Sequence, residues 1–404
     1  MTGARILPQA AWRTRPGTAE LMAALGGDDG LTRFVGGSVR DTLLGLPVSD
    51  IDCATVLAPG DVIERIRAAG MKAVPTGIAH GTVTAVTRGG PIEVTTLRRD
   101  VSTDGRRATV AFTDDWREDA ARRDFTINAL FAEPAGGVIH DYFDGLSDLE
   151  AGTVRFIGDP LTRIAEDHLR ILRFFRFHAR FGRGEPDAAG LAACTARAND
   201  LMALSRERIA DELLKLVAVA DPAPAFAIML DRGIWKPVLP EIGRDGLERL
   251  VALTSREAAL GLAPDPARRL AALLPADPAV ATAIALRLKL SKALTRRLTN
   301  AAARGDGGAT PRAMAYRLGR EEAIDRLMLA GAGADALAEL DGWKRPRLAL
   351  GGGDLIAMGL PVGPIVAKTL QAIEAQWIAE DFPAASRVRS LARAAVDQAL
   401  RAAQ

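Results

Sequence analysis

The sequence predicts an α+β chain, with a head of mixed strands and helices over residues 1–150 and an all-α remainder. Three observations predict it. Short runs rich in Val, Ile and Thr, punctuated by Gly, Pro and Asp, fill the first 150 residues and then stop. After Pro160, apolar residues recur at helical spacing in stretches rich in Ala, Leu, Arg and Glu. The 404 residues, 48% of them apolar and none in a low-complexity tract, hold enough material for more than one buried core.

In the head, 32–35, 51–56, 82–87, 92–97 and 127–132 read as strands, and 61–69 and 115–123 as helices. Gly89-Gly90-Pro91 reads as a turn. The interleaving of the two types points to a mixed β-sheet with helices. Beyond it, 162–180, 205–219, 266–274 and 386–403 read as helices, with breaks around 221–224, 261–266, 304–310 and 351–353. No fixed-period repeat is visible.

A net charge of +2 neither requires nor excludes a nucleic-acid partner, because a basic face can sit within a balanced total. An aromatic share of 5% argues against an extended base-stacking surface. Cys53 and Cys194 have neither metal-ligand spacing nor a disulfide framework. Residues 1–14 lack the continuous apolar core of a signal peptide, and no charge-free run of about 20 apolar residues occurs. The expected setting is the reducing cytoplasm, without a membrane span.

The densest chemistry begins at Phe34-Val35-Gly36-Gly37-Ser38-Val39-Arg40-Asp41, where an apolar strand enters a double glycine and a helix starts near Ser38. Glycines let backbone approach a ligand closely, and the N–H groups of a helix start attract anions. Ser38 adds a hydroxyl donor and Arg40 a cationic fork, a set suited to a triphosphate. Neither a Walker loop nor a dinucleotide fingerprint is present. Read alone, the double glycine is equally a plain strand-to-helix turn.

Asp50-Ile51-Asp52 then opens the strand 51–56. Strand alternation sends Asp50 and Asp52 to one face, where two carboxylates repel unless a cation lies between them. Mg2+ suits such a pair, since it takes few carboxylates and fills its other positions with water and substrate phosphates. The alternative is two solvated acids at a strand start.

Gly-Gly-Ser followed by Asp-x-Asp on the next strand resembles the nucleotidyltransferase superfamily that includes DNA polymerase β. The resemblance implies carboxylates that hold metals for in-line attack of a hydroxyl on an α-phosphate. It also implies a third carboxylate from a neighbouring strand. Glu93, in Ile92-Glu93-Val94-Thr95-Thr96-Leu97-Arg98, is the candidate, or else an outward-facing acid on an amphipathic strand.

Arg122-Arg123-Asp124-Phe125-Thr126-Ile127-Asn128-Ala129-Leu130 narrows the likeness to class II tRNA nucleotidyltransferases and bacterial poly(A) polymerases. That likeness places Arg123, Asp124 and Asn128 near the ribose and phosphates of the incoming nucleotide. Chemically, Asp124 can accept from a ribose hydroxyl and Arg123 can pair with phosphate.

Glu166-Asp167-His168-Leu169-Arg170-Ile171-Leu172-Arg173 falls inside the predicted helix 162–180. There Arg163, Glu166, Asp167, Arg170 and Arg173 share one stripe with apolar residues on both flanks, as if the stripe lined a cleft. Cytosine and adenine both present an amino donor beside a ring-nitrogen acceptor, whereas uracil and guanine present the reverse. A carboxylate beside a guanidinium therefore accepts C and A and refuses U and G. Asp167 and Arg170, three apart on a helix, can form that pair or a routine surface salt bridge. The family resemblance assigns base recognition to them and implies a nucleotide contact for Arg173.

Glu207-Arg208-Ile209-Ala210-Asp211-Glu212-Leu213-Leu214-Lys215 matches the family's Glu-Arg-x₃-Glu-x₂-Lys helix and reads as a buttress for the recognition helix. Asp104-Gly105-Arg106-Arg107 lies where these enzymes carry a flexible loop needed for the change from C to A.

The resemblance, specific over 30–220, implies a nucleotidyltransferase head (1–150), a helical neck for base recognition (151–220), a body (221–330) and a tRNA-binding tail (331–404). Arg287, Lys289, Lys292, Arg296, Arg297 and Arg312 are candidate phosphate contacts, or a solvated helix face. His140-Asp141 is the only His-Asp pair, and no histidine follows His178, so a metal-dependent phosphohydrolase domain is not expected. The implied activity is template-independent transfer of CMP and AMP from CTP and ATP to a tRNA 3′-hydroxyl. Alternatives are a poly(A) polymerase, an A-adding or CC-adding specialist, and, from another class, a catalytically silent RNA-binding protein. No protein partner is indicated.

Overall fold

The β-branched runs of the head become β1 (Thr32–Val35), β2 (Asp52–Thr55), β3 (Lys72–Gly77), β4 (Thr82–Thr87), β5 (Gly90–Thr96), β6 (Arg98–Asp104), β7 (Arg107–Phe112), β8 (Leu130–Ala132) and β9 (Ile139–Asp141). The computed structural model describes residues 5–104, 107–305 and 308–402. Within it, β3-β4-β5-β2-β1-β8-β9 form a seven-stranded sheet, while β6 and β7 form a separate hairpin. The sheet is mixed, as expected: β2 runs parallel to β5 and the other pairings are antiparallel. The Asp104–Arg107 turn expected to govern the change from C to A includes 105–106, which lie outside the described residues.

The core explains the register. Val35, Ala54, Leu97, Ala129 and Phe131 pack into one buried cluster. Thr32 and Thr55 join hydroxyls at 2.8 Å across β1 and β2. Along β5, Ile92, Val94 and Thr96 are buried while Glu93 points to the other, exposed face. A one-residue slip would reverse that choice and bury a carboxylate.

Two strand readings need correction. The stretch 127–132 is a strand only at Leu130–Ala132; Thr126–Asn128 is a single 3₁₀ turn. Its polar side chains take local partners, with Thr126 donating to Asp148 at 2.5 Å and Asn128 to Asp124 at 2.9 Å. β3 was not foreseen because Pro75 interrupts it, which an edge strand tolerates.

The expected helix 162–180 is two helices, Pro160–Glu166 and Arg170–Phe181. Asp167 breaks them apart with extended backbone (φ −153°, ψ 105°), and its side chain accepts from the Leu169 amide at 3.1 Å. A short carboxylate that bonds backbone two residues on competes with the helix. The second helix anchors to the head through Phe125, whose ring lies 4.9 Å from Phe156 and 5.1 Å from Phe177.

The chain divides into two compact units between Pro240 and Glu241. The second is helical, and its interior holds charge. Asp325, fully buried, accepts from Arg268 at 3.0 Å and from Arg297 at 2.9 Å, and Glu257 accepts from Arg268 at 2.9 Å and Arg269 at 2.7 Å. Burial opposes the charge on Arg297, yet Asp325 and Asp265 raise its pKa above the ordinary value. Arg297, half-buried, is thus engaged by this network, and Arg287 and Arg312 pair with Glu241 and Asp381. Asp325→Asn is expected to destabilise this unit by about 2 kcal/mol, because the buried Arg268 and the half-buried Arg297 lose a charged partner. Urea denaturation checks it; an unchanged midpoint would show the network dispensable. No single helix among the described residues is long and apolar enough to cross a membrane.

Candidate active site

β2 starts at Asp52, so Asp50 and Ile51 precede the strand rather than open it. Asp50 and Asp52 nevertheless line one cleft of about 880 Å³, together with Glu93. The parallel pairing of β2 with β5 places Glu93 directly opposite Asp52. Burial first, then the charges of Glu93 and Asp50, push the Asp52 carboxyl up to about 6, with Arg123 pulling the other way. Among the described residues, no group of three His, Cys, Asp or Glu side chains is placed to hold a metal ion. An open carboxylate pair whose Asp52 member has a raised pKa fits a hard divalent ion that keeps positions for water and phosphate.

The opposite wall is cationic. Gly36 takes φ +69°, ψ −122°, a conformation that suits only glycine, and a Cβ there would lie 3.6 Å from the Arg123 guanidinium. Gly37 and Arg40 also line the cleft. The Arg40 fork is already held: it donates to Asp41 at 2.7 Å and to Asn128, and lies 4.1 Å over the Phe181 ring. Ser38 does not line the cleft; it is buried and its hydroxyl donates to the Val35 carbonyl at 3.3 Å.

Arg122 and Arg123 reach the cleft from the end of helix Trp116–Ala121, and one buried carboxylate organises both. Asp119 accepts from Arg122 at 2.7 Å, from Arg123 at 3.1 Å and from the Arg98 amide at 3.2 Å. Burial works against its charge, but the two arginines outweigh it and lower the pKa. Asp119→Asn is expected to reduce kcat/KM for the nucleoside triphosphate implied by the sequence resemblance about tenfold, by loosening both guanidinium groups. Steady-state kinetics with that nucleotide varied checks it; wild-type kcat/KM would remove the positioning role.

The third wall joins head and helices. Asp124 accepts from Arg173 (Nε, 2.8 Å), from Asn128 (2.9 Å) and from the Phe125 amide (2.9 Å). Burial again opposes ionisation, and Arg173 with these hydrogen bonds keeps the pKa low. Arg40, Asn128, Asp124 and Arg173 form one continuous chain of hydrogen bonds along the cleft.

Asp167 and Arg170 both face the cleft, but among the described residues they do not pair with each other. Arg208 donates to Asp167 Oδ2 at 2.7 Å. Arg170 donates to the Arg163 carbonyl at 2.7 Å and to Glu166. The break at Asp167 lets each group be held by a separate partner. The buttress expected of helix Arg206–Val217 is visible: besides Arg208, its buried Glu212 accepts from Arg176 at 2.6 Å and meets Arg173 at 3.6 Å. Arg163 donates to the Arg123 carbonyl at 2.7 Å and so ties this wall to the cationic one.

Every site residue expected from sequence, Ser38 apart, lines this cleft. Arg122, Arg176, Phe177 and Lys215 line it without having been assigned there. Arg176 and Phe177 continue the spacing of Arg170 and Arg173 along one helix face, which is the signal that could have found them. Asp119 stands three and four residues before Arg122 and Arg123, a helical pairing spacing.

A carboxylate trio at the edge of a parallel strand pair, facing a guanidinium-lined cleft, defines a nucleotidyltransferase type of site. A family model described as the poly A polymerase head domain matches residues 32–155, and one described as a probable RNA and SrmB-binding site of polymerase A matches 186–245. The chain is 35% identical over 362 residues to the CCA-adding enzyme of Limosilactobacillus fermentum, covering 85% of this chain and 88% of that one. It is 40% identical over 264 residues to mitochondrial CCA tRNA nucleotidyltransferase 1 of Mus musculus, covering 64% of this chain and 59% of the mouse protein. The crystal structure of the Bacillus stearothermophilus CCA-adding enzyme in complex with CTP superposes with a TM-score of 0.68 at 26% identity, covering 91% of this chain and 94% of that one. The chain belongs to the class II CCA-adding tRNA nucleotidyltransferase family.

Proposed function

We propose that the chain builds or repairs the 3′-terminal CCA of tRNA from CTP and ATP. The observation that carries this reading is the placement of Asp167 and Arg170, separately held, in the same cleft as Asp50, Asp52 and Arg123. Their donor and acceptor edges match the face that cytosine and adenine share. Names of the relatives support the acceptor and the nucleotides: tRNA and CCA in the mouse and lactobacillus proteins, CTP in the Bacillus structure.

In this reading the RNA 3′-oxygen attacks the α-phosphorus, a new P–O bond forms, the α–β P–O bond breaks and pyrophosphate leaves. Asp50 and Asp52 would hold Mg2+, which would neutralise charge on the phosphates, and Glu93 is the third carboxylate. Arg123 and Arg122 meet the triphosphate, while Asp124, Asn128 and Arg173 set the ribose wall. Residues 1–150 act as the head, 151–220 as the neck, and 221–330 and 331–404 as a body and tail that hold tRNA. The free, buried thiols of Cys53 and Cys194 suit a reducing cytoplasm.

The test is extension of a tRNA transcript ending at its discriminator base, with each nucleotide alone and with CTP plus ATP. Two C additions, one A and a stop are expected. Long A tracts without CTP would make it a poly(A) polymerase, and no extension with retained tRNA binding would make it a silent binder.

A further inference from the structure

Phe177 lines the nucleotide cleft although it is only 6% exposed. Three guanidinium groups that line the same cleft surround its ring: Arg176 lies 4.5 Å from the ring centroid, Arg173 5.2 Å and Arg40 5.3 Å. Arg173 and Arg176 share helix Arg170–Phe181 with Phe177, whereas Arg40 arrives from helix Gly37–Leu43. A different carboxylate holds the Nε edge of each: Glu212 for Arg176 at 2.6 Å, Asp124 for Arg173 at 2.8 Å and Asp41 for Arg40 at 2.7 Å. The ring itself packs against Phe125, 5.1 Å between centroids, and Phe181, 5.7 Å, so its plane is fixed from behind.

A guanidinium is planar, with every N–H donor in its plane and none on its face. A carboxylate on the edge therefore consumes donors, while an aromatic face attracts the cation and consumes none. Burial opposes the charge on Arg40 and lowers its pKa despite Asp41 beside it, so this wall gains from a second source of attraction.

We propose that Phe177 is a positioning residue for the incoming nucleotide, its ring setting the spread of Arg40, Arg173 and Arg176 without drawing on their N–H donors. The inference rests on the nucleotidyltransferase reading of the cleft. With the ring in place the three side chains wait in one arrangement, and a triphosphate need not gather them at a cost in rotamer freedom. An aliphatic side chain would fill much of the same space but leave three like charges without a shared attractive surface.

Fluorination weakens the negative potential of a ring face while barely changing the size of the ring. Replacing Phe177 in the full chain by mono-, di- and trifluorophenylalanine is therefore expected to raise Kd for inorganic triphosphate and for CTP stepwise, to about fivefold, at an unchanged melting temperature. Titration calorimetry with Mg2+ present and no RNA reads both constants. Phe177→Leu is expected to raise them about tenfold, but it also removes packing against Phe125 and Phe181, which the fluorinated series preserves. Constants that stay flat across the series overturn the positioning role even if Phe177→Leu binds weakly. If triphosphate binding is graded by fluorination yet the wild-type chain adds nothing to RNA, the functional reading falls and the role of Phe177 stands. RNA extension by the wild type together with a flat series gives the converse, and a wild type that binds no triphosphate overturns both.

Discussion

Asp52→Asn is expected to lower nucleotide addition by about 10³–10⁵-fold while making the metal-free chain more stable at neutral pH. The loss follows from removing one of the two carboxylates proposed to hold the ion. The gain follows from the site's own electrostatics. Burial and the neighbouring Glu93 raise the Asp52 carboxyl from the ordinary 3.8 to about 6 in the folded chain. Between those values the folded state holds a proton that the unfolded state has released, so stability falls as pH rises through the window and is lowest above it. The full shift corresponds to at most about 3 kcal/mol, and partial solvent exposure reduces it to about 1–2 kcal/mol. In EDTA, the variant should melt several degrees higher than wild type at pH 8, with the difference shrinking as pH falls toward 4. Equal melting at pH 8 would show that the acidic face carries no stored repulsion. Retained RNA extension would remove Asp52 from the metal site altogether.

Asp167→Asn is expected to erode the choice of base more than the rate of the preferred reaction. The carboxylate only accepts, and Arg208 fixes its orientation at 2.7 Å. An amide in its place can rotate to offer a donor to the uracil carbonyl, and it weakens the grip of Arg208. Selection of CTP over UTP, measured as the ratio of kcat/KM values, should fall by about 10²-fold, the worth of one or two charge-assisted hydrogen bonds. Arg208→Gln should give a smaller loss of the same kind, because Asp167 keeps its charge but loses its support. A uniform fall in kcat/KM for all four nucleotides would place Asp167 in folding or closure rather than base choice.

Much of the site was legible because its parts are local. Gly36-Gly37, Asp50 with Asp52, and Arg122 through Asn128 are each contiguous, and backbone geometry ties each motif to a single turn or strand. What was misread was also local, but decided by competition. Asp167 carries a helical pattern on both sides, yet its side chain takes the Leu169 amide and breaks the helix. The expected i, i+3 pair with Arg170 therefore does not form, and separate partners from helix Arg206–Val217 and from Glu166 replace it. Ser38 shows the opposite error: a hydroxyl at a glycine turn suggested a ligand contact, and the core claimed it.

The sequence by itself determined the α+β division, the carriers of charge and the order of motifs, because periodicity and side-chain chemistry depend on near neighbours. Tertiary structure alone decided which charges remain available. Asp52 and Glu93 meet only through a parallel strand pairing, 41 residues apart in the chain. Asp119 and Asp124 became supports for arginines, Arg297 went to a buried network, and Arg176 and Lys215 came to face the cleft. A guanidinium looks the same in sequence whether it will meet a phosphate or a buried carboxylate; burial and the partner brought in by distant chain settle the difference.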